Sequence, residues 1–90
     1  MNVAEATVEV KNRLGLHLRA ATALLQTAKS FSSSVMIGTG KDLVNAKSVT
    51  QLMILGAAQG TKLKVRCEGT DAREALQAIQ ALFNDRFGEE

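Results

Sequence analysis

The chain has 90 residues, of which 46% are apolar and 22% are charged, with a formal net charge of +2. This balance is typical of a globular chain, and the length supports one hydrophobic core, so we expect a single domain spanning 1–90. No apolar run approaches the ~20 residues of a membrane span, and the first ten residues lack the basic start of a secretory signal. We therefore expect an unexported protein with no membrane insertion, and take a cytoplasmic monomer as the default.

Metal ions, cofactors and nucleic acids find little support in the sequence. One histidine and one cysteine on different elements do not make a metal site, and a single cysteine excludes an intramolecular disulfide. Lys62, Lys64 and Arg66 would form a basic strand face, but the chain has no Trp or Tyr to stack on bases. We expect no metal, no cofactor and no nucleic-acid partner.

The first predicted element is a strand at about 5–11, where apolar and polar residues alternate. The first helix is predicted to begin at or just after His17. Two short strands around 35–37 and 43–45 flank a glycine-containing segment typical of a tight hairpin. The buried stripe of the helix comprises Ala21, Leu24, Leu25, Ala28 and Phe31.

A short second helix is predicted to follow Ser48. The Ser48 hydroxyl can accept a hydrogen bond from a free backbone N–H as an N-cap, and Gly56 is placed to end the helix. The alternation of apolar and basic residues over 61–68 is the most regular in the chain, and it predicts a well-paired antiparallel strand.

The last helix is predicted to be capped by Thr70 or Asp71, with Glu74 at capping-box spacing from Asp71. Each predicted strand is apolar on one face only, so all helices must cover the same side of the sheet. The predicted fold is α+β, an open-faced β-sandwich of order β-α-β-β-α-β-α, with a four-stranded antiparallel sheet covered on one face by three helices.

His17 is the residue best placed to carry chemistry. It is the sole histidine and stands directly before an amphipathic helix, whose start exposes unpaired backbone N–H groups and favours a bound anion. A neutral imidazole is nucleophilic, and the planar guanidinium of Arg19 suits phosphate oxygens. By spacing alone, a surface or capping histidine is the more common explanation, and a nearby arginine hardly changes that.

Two stretches of sequence together resemble one family. Residues 12–21, NRLGLHLRAA, resemble the Gly-Leu-His-x-Arg-Pro-Ala active-site motif of HPr proteins, the phosphocarriers of the bacterial phosphotransferase system, and depart from it at Ala20. Residues 46–56 are similar to the regulatory-serine segment of that family, and the similarity continues through 59–61. On this resemblance the chain is identified as a member of the HPr family.

The resemblance implies a phosphocarrier rather than a stand-alone enzyme. Enzyme I, charged from phosphoenolpyruvate, would phosphorylate Nδ1 of His17, which would pass the group to an EIIA-type domain in sugar uptake or in regulation. The Arg19 side chain and the backbone N–H groups of Leu18 and Arg19 would hold the phosphate. Ala20 replaces a proline that would fix φ at the helix start, which leaves the loop less rigid. A paralogue acting mainly as a regulatory protein-binding module is the alternative.

The resemblance also implies a regulatory residue and a partner surface. Ser48 is a helix cap by its position and, by resemblance, a candidate substrate of an HPr kinase/phosphorylase. The sequence leaves open which EIIA partner is served, and whether it belongs to the sugar or the nitrogen-related branch. The docking residues implied by the resemblance are Leu18, Ala20, Val49, Thr50 and Met53.

Overall fold

The computed structural model describes residues 2–89, over which the predicted order and fold class are confirmed. None of the helices in this range is long and apolar enough to span a bilayer. The elements are β1 (Val3–Glu9), α1 (Leu18–Lys29), β2 (Ser34–Thr39), β3 (Asp42–Asn45), α2 (Val49–Leu55), β4 (Lys62–Glu68), α3 (Ala72–Asn84) and a 3-10 turn (Arg86–Gly88).

The four strands form one antiparallel sheet in the order β1-β4-β2-β3. β4 lies in the interior and pairs with β1 through Val8 and Leu63 and with β2 through Ile37 and Val65. These four side chains are buried, while their neighbours along each strand are largely exposed. The inner face therefore joins the buried residues of the helices in one core.

β1 is shifted by two residues from its predicted bounds. It begins at Val3 because Val3 already pairs with Glu68, and it ends at Glu9 rather than near residue 11. Val10 leaves the ladder but stays buried, and its N–H donates to the Thr61 carbonyl at 2.9 Å. The alternation continued past the strand because Val10 still faces the core.

Asp71 occupies the N-cap position of α3, but its carboxylate makes no capping hydrogen bond to that helix. It accepts instead from the N–H groups of Ser32 and Ser33, both at 2.9 Å, and from the buried Ser33 hydroxyl. The Ser33 hydroxyl and then the Ser32 N–H lower the pKa of Asp71 to about 2. The predicted capping box between Asp71 and Glu74 is wrong. The Asp71 carboxylate instead links the connection before α3 to the connection between α1 and β2.

Two of the three basic side chains of β4, Lys64 and Arg66, are paired with carboxylates on the outer face of the sheet. Glu5 accepts from Arg66 at 2.5 Å and lies 3.6 Å from the Lys64 ammonium, while Arg66 also donates to Glu68 at 2.8 Å. The hydrogen bond from Arg66 is the largest cause lowering the pKa of Glu5. This face therefore carries alternating charge rather than a continuous basic stripe.

Candidate functional site

His17 lies at the N-cap of α1, with extended backbone angles of φ −81° and ψ −179°. Its carbonyl accepts the first intrahelical hydrogen bond, from the N–H of Ala21 at 2.8 Å. The N–H groups of Leu18 and Arg19 precede that donor and so have no acceptor within the helix. The imidazole makes no capping bond and its side chain is 27% exposed, so the ring is open to a reactant from solvent.

The segment before His17 is attached to the connection that follows α2. The N–H of Leu16 donates to the Ala57 carbonyl at 2.8 Å, and the Leu16 side chain is buried. Gly15 has a φ of +71°, and a Cβ there would lie 2.6 Å from the Ala57 carbonyl oxygen. Glycine at this position allows the two backbones to approach and fixes where the helix and its histidine begin.

A carboxylate from the other end of the chain completes the site. Oε2 of Glu89 lies 2.6 Å from Nε2 of His17 and 3.2 Å from Nε of Arg19. Its Oε1 accepts from Nδ2 of Asn12 at 3.0 Å, and the same Nδ2 donates to the Gly15 carbonyl at 2.7 Å. The Glu89 side chain is only 10% exposed, so the carboxylate is held among three donors.

The 3-10 turn brings Glu89 to this place. Arg86 and Phe87 both have positive φ, at 56° and 54°, an uncommon conformation for residues other than glycine. The Phe87 ring packs edge-on against Phe83 of α3, with ring centroids 4.8 Å apart. This aromatic contact anchors the turn to the core and directs the following residue back toward α1.

The carboxyl of Glu89 is ionised despite its burial. Burial acts to raise the pKa of Glu89, but the hydrogen bonds from Asn12 and His17, with the charges of His17 and Arg19, outweigh it and lower the pKa below its ordinary value. Asn12 is fully buried, and its Oδ1 finds no hydrogen-bond partner among the described residues. The amide is therefore kept in the interior by its two donor contacts.

The predicted site residues on α1 divide into exposed and buried ones. The Arg19 side chain is 75% exposed, and Leu18 is exposed beside it. Ala20 is fully buried, at 0% exposure, so its prediction as a docking residue is wrong. It lies on the stripe of α1 that packs against the core, together with Ala21 and Leu24.

α2 packs against α1 and carries the other predicted residues. Ser48 is its N-cap, and the hydroxyl accepts from the Gln51 N–H at 3.3 Å. Thr50 and Met53 are exposed, while Val49 is half-buried against the core. Ser48 therefore lies at the N-terminus of α2, where its hydroxyl already has a structural function as the helix cap.

Sequence reasoning missed four residues around the site. Leu14 and Ile54 are exposed apolar side chains. Their positions in the sequence could have indicated this, because neither belongs to a predicted buried stripe. Asn12 lies in the stretch 12–21 that carries the family resemblance, but no role was predicted for it. Glu89 has no local signal, because it meets His17 across 72 residues of sequence.

Comparison with known proteins gives a consistent result. The family model described as "PTS HPr component phosphorylation site" matches residues 4–85. Phosphocarrier protein HPr of Xylella fastidiosa strain Temecula1 is 44% identical over 86 residues, 96% of this chain and 97% of that protein. Phosphocarrier protein NPr of Escherichia coli K12 is 36% identical over 85 residues, 93% of this chain and 94% of that protein.

Solved structures agree with the sequence comparisons. The crystal structure of HPr-C-His from Thermoanaerobacter tengcongensis superimposes with a TM-score of 0.92 at 44% identity, covering 97% of this chain and 98% of that one. The match in fold thus extends over the elements that place His17 at the start of α1. The chain belongs to the HPr family of phosphocarriers of the phosphotransferase system.

Proposed function

We propose that this chain accepts a phosphoryl group on Nδ1 of His17 from phosphorylated enzyme I and passes it to a histidine of an EIIA-type domain. The observation that carries the proposal is the position of His17, a partly exposed imidazole at the open start of α1 beside an exposed Arg19, in a chain of the HPr family. Phosphoenolpyruvate would be the original donor.

The local geometry supports holding a phosphate next to the ring. Of the guanidinium nitrogens of Arg19, only Nε has a partner among the described residues, so the terminal nitrogens are free to bind phosphate oxygens. The N–H groups of Leu18 and Arg19 add the positive end of a helix of 12 residues. A dianionic phosphoryl group would therefore meet both a mobile cation and fixed backbone donors.

An exposed apolar surface beside His17 is the proposed docking site for both partners. It is formed by Leu14, Leu18, Met53 and Ile54, which lie on or next to the two packed helices. Large exposed apolar side chains in a group are typical of interaction surfaces. The +2 net charge favours partners that bring acidic groups to this face.

Ser48 is proposed as the regulatory site, phosphorylated by an HPr kinase/phosphorylase. Its hydroxyl is at the start of α2, the helix that carries Met53 of the docking surface. A phosphate there would add a charge of about −1.5 to −2 at the edge of that surface and repel acidic partners. The N-capping contact to Gln51 would change little, since a phosphate oxygen can also accept.

A regulatory paralogue is the second candidate, although the relatives named HPr and NPr are both called phosphocarrier proteins. A paralogue that mainly binds other proteins would need the docking surface but not a reactive histidine. This chain has both His17 and Arg19, and both contact the Glu89 carboxylate. The presence of both residues favours the phosphocarrier role over a binding module. In either role we propose a monomer acting in the cytoplasm.

Incubation with enzyme I and labelled phosphoenolpyruvate tests the proposal. We expect one acid-labile, base-stable phosphate on the unaltered chain and none on His17→Ala, because His17 is the only imidazole. Candidate EIIA domains of the sugar and nitrogen-related branches are then added one at a time. The cognate EIIA domain should take the label from this chain. Equal labelling of both chains would refute the carrier role.

A further inference from the structure

The turn that precedes His17 carries a charged side chain that the proposed transfer does not use. The N–H of Gly15 donates to the Asn12 carbonyl at 3.2 Å, which closes a four-residue turn with Arg13 and Leu14 as its two central residues. Both central residues are exposed, and Leu14 belongs to the proposed docking surface. Arg13 has no ion pair with any residue that the structure describes, so its charge is uncompensated.

Both ends of this turn are held by contacts to the rest of the protein. The Asn12 side chain is fully buried, and its Nδ2 donates to the Gly15 carbonyl at 2.7 Å, which stabilises the turn from the inside. Directly after the turn, the buried Leu16 donates its N–H to the Ala57 carbonyl at 2.8 Å. None of these contacts involves a central side chain, so the two central residues can be substituted without removing the support of the turn.

Arg13 and Leu14 line a small cavity beside the start of α1. The other lining residues are Arg19, Gly88 and Glu89, and the volume is about 230 Å³. Pockets for drug-sized ligands have volumes of about 300–1,000 Å³. The cavity therefore has room for the end of one side chain rather than for a whole metabolite.

The charges around this cavity favour an anion. Two guanidinium groups and one carboxylate line it. The Glu89 carboxylate is already bound by Asn12, His17 and Nε of Arg19, so it does not balance the charge of Arg13. In the proposed transfer Arg19 binds the phosphoryl oxygens, which leaves Arg13 as the cation for a second anion.

We propose that the cavity lined by Arg13 and Arg19 is a docking subsite for an acidic side chain of enzyme I. This rests on the proposed function. Leu14 belongs both to the cavity and to the apolar docking surface, so a protein that covers Leu14 brings its own side chains to the cavity. The planar guanidinium of Arg13 can bind an aspartate or glutamate carboxylate through two parallel hydrogen bonds.

Arg13 acts on association in this proposal, because it does not contact the reacting atoms. A charge at the rim of an interface changes mainly the rate of encounter and the salt dependence of that rate. Removing Arg13 should therefore raise KM and leave kcat unchanged. Arg19, by contrast, holds the phosphoryl group, and its removal should lower kcat.

The test compares Arg13→Gln, Arg13→Lys and Arg13→Glu with the control Arg73→Gln. Arg73 is an exposed arginine at the start of α3, and it lines a different cavity together with residues of β1. Arg13→Gln and Arg73→Gln remove the same charge from the chain, so a difference between them reports where that charge lies. Thermal melts check the fold, and we expect all four variants to melt close to the unaltered chain.

The readout is the steady-state rate of loading by enzyme I and phosphoenolpyruvate over a range of chain concentrations. We expect Arg13→Gln to raise KM about three- to fivefold with kcat within about twofold, as for an exposed ion pair. Arg13→Lys and Arg73→Gln should stay within about twofold in both constants, whereas the like charge of Arg13→Glu should lower kcat/KM about tenfold. The difference between Arg13→Gln and the unaltered chain should disappear near 1 M salt, where the Debye length is about 3 Å.

Four results would overturn the proposal. The first is an equal KM for Arg13→Gln and Arg73→Gln at low salt, and the second is a fall in kcat at unchanged KM, which would place Arg13 at the reacting group. The third is equal loading with slower delivery to an EIIA domain, which would assign the subsite to that partner. The fourth is equal loading of all variants while millimolar inorganic phosphate shifts the Arg13 Nε–H resonance in 15N NMR, which would make the cavity a small-anion site.

The unaltered chain separates failure of this proposal from failure of the carrier role. If it is labelled and the variants are labelled equally well, only the subsite is rejected. If the unaltered chain is not labelled at all, the carrier role fails, and the enzyme I subsite fails with it.

Discussion

Replacing Gly15 with alanine should both destabilise the protein and slow its phosphorylation. The φ of +71° costs a residue with a Cβ about 1–2 kcal/mol. The new Cβ would also lie 2.6 Å from the Ala57 carbonyl oxygen, which is the acceptor of the Leu16 N–H. Crowding of this kind costs roughly 1–3 kcal/mol more, because the two backbones must separate. The segment that moves is the one leading into His17.

Gly40→Ala is the matched control for the backbone term. Gly40 also has a positive φ, +55°, but no atom lies within 4 Å of its added Cβ. For a domain of this size each kcal/mol lowers Tm by about 4–8 °C, so Gly15→Ala should melt at least about 4 °C below Gly40→Ala. Only Gly15→Ala should be loaded more slowly by enzyme I. Equal melting temperatures and equal loading rates would show that the close approach to Ala57 is unimportant.

Three further results are expected. Arg19→Ala should fold normally but transfer phosphate roughly 10–100-fold more slowly in rapid-quench assays, since a hydrogen bond to a charged group contributes about 1.5–3 kcal/mol. Unchanged loading and delivery rates would show that Arg19 has no role in the transfer. Ser48→Asp should melt like the unaltered chain yet be phosphorylated more slowly by enzyme I, with part of the rate recovered at high salt. Ser48→Ala should lose about 1 kcal/mol of stability, because the helix cap is removed. If Ser48→Asp is phosphorylated at the unaltered rate at low salt, Ser48 is a helix cap only. The pKa of Asp71 is lowered from 3.8 to about 2 on folding, so its stabilisation is complete above about pH 4 and is lost as the pH falls toward 2. In urea titrations, Ser33→Ala should weaken this acid dependence, and an unchanged pH profile would contradict the assignment.

The fold could be predicted because each element carries its own periodicity. β4 alternates strictly between buried and wetter positions, and the apolar stripes of α1 and α3 recur at helical spacing. Ala20 was left out of the predicted buried stripe and was named as a docking residue by resemblance. It precedes Leu24 by four residues, and the structure buries both on the core side of α1.

The contacts that could not be predicted join segments that are remote in sequence. Asp71 had the spacing of a helix cap, but its carboxylate lies closer to the donors of Ser32 and Ser33 in another connection. The contact of Glu89 with His17 depends on two consecutive residues of positive φ in the preceding turn, which no composition rule predicts. The resemblance to the family motif points to His17 as the proposed nucleophile, whereas the electrostatic surroundings of His17 depend on the tertiary fold.

The sheet order also governs when during folding the site comes into existence. β1 is the first strand in the chain, and in the sheet it pairs only with β4, which follows much later in the sequence. The pairing of Val3 with Glu68 therefore closes a long loop at a large entropic cost. The segment before His17 is held by Ala57, and the ring is held by Glu89, so both remote segments must arrive before the imidazole is oriented. A partly folded chain therefore exposes its histidine without these contacts, and only the finished fold has the geometry on which the proposed phosphoryl transfer depends.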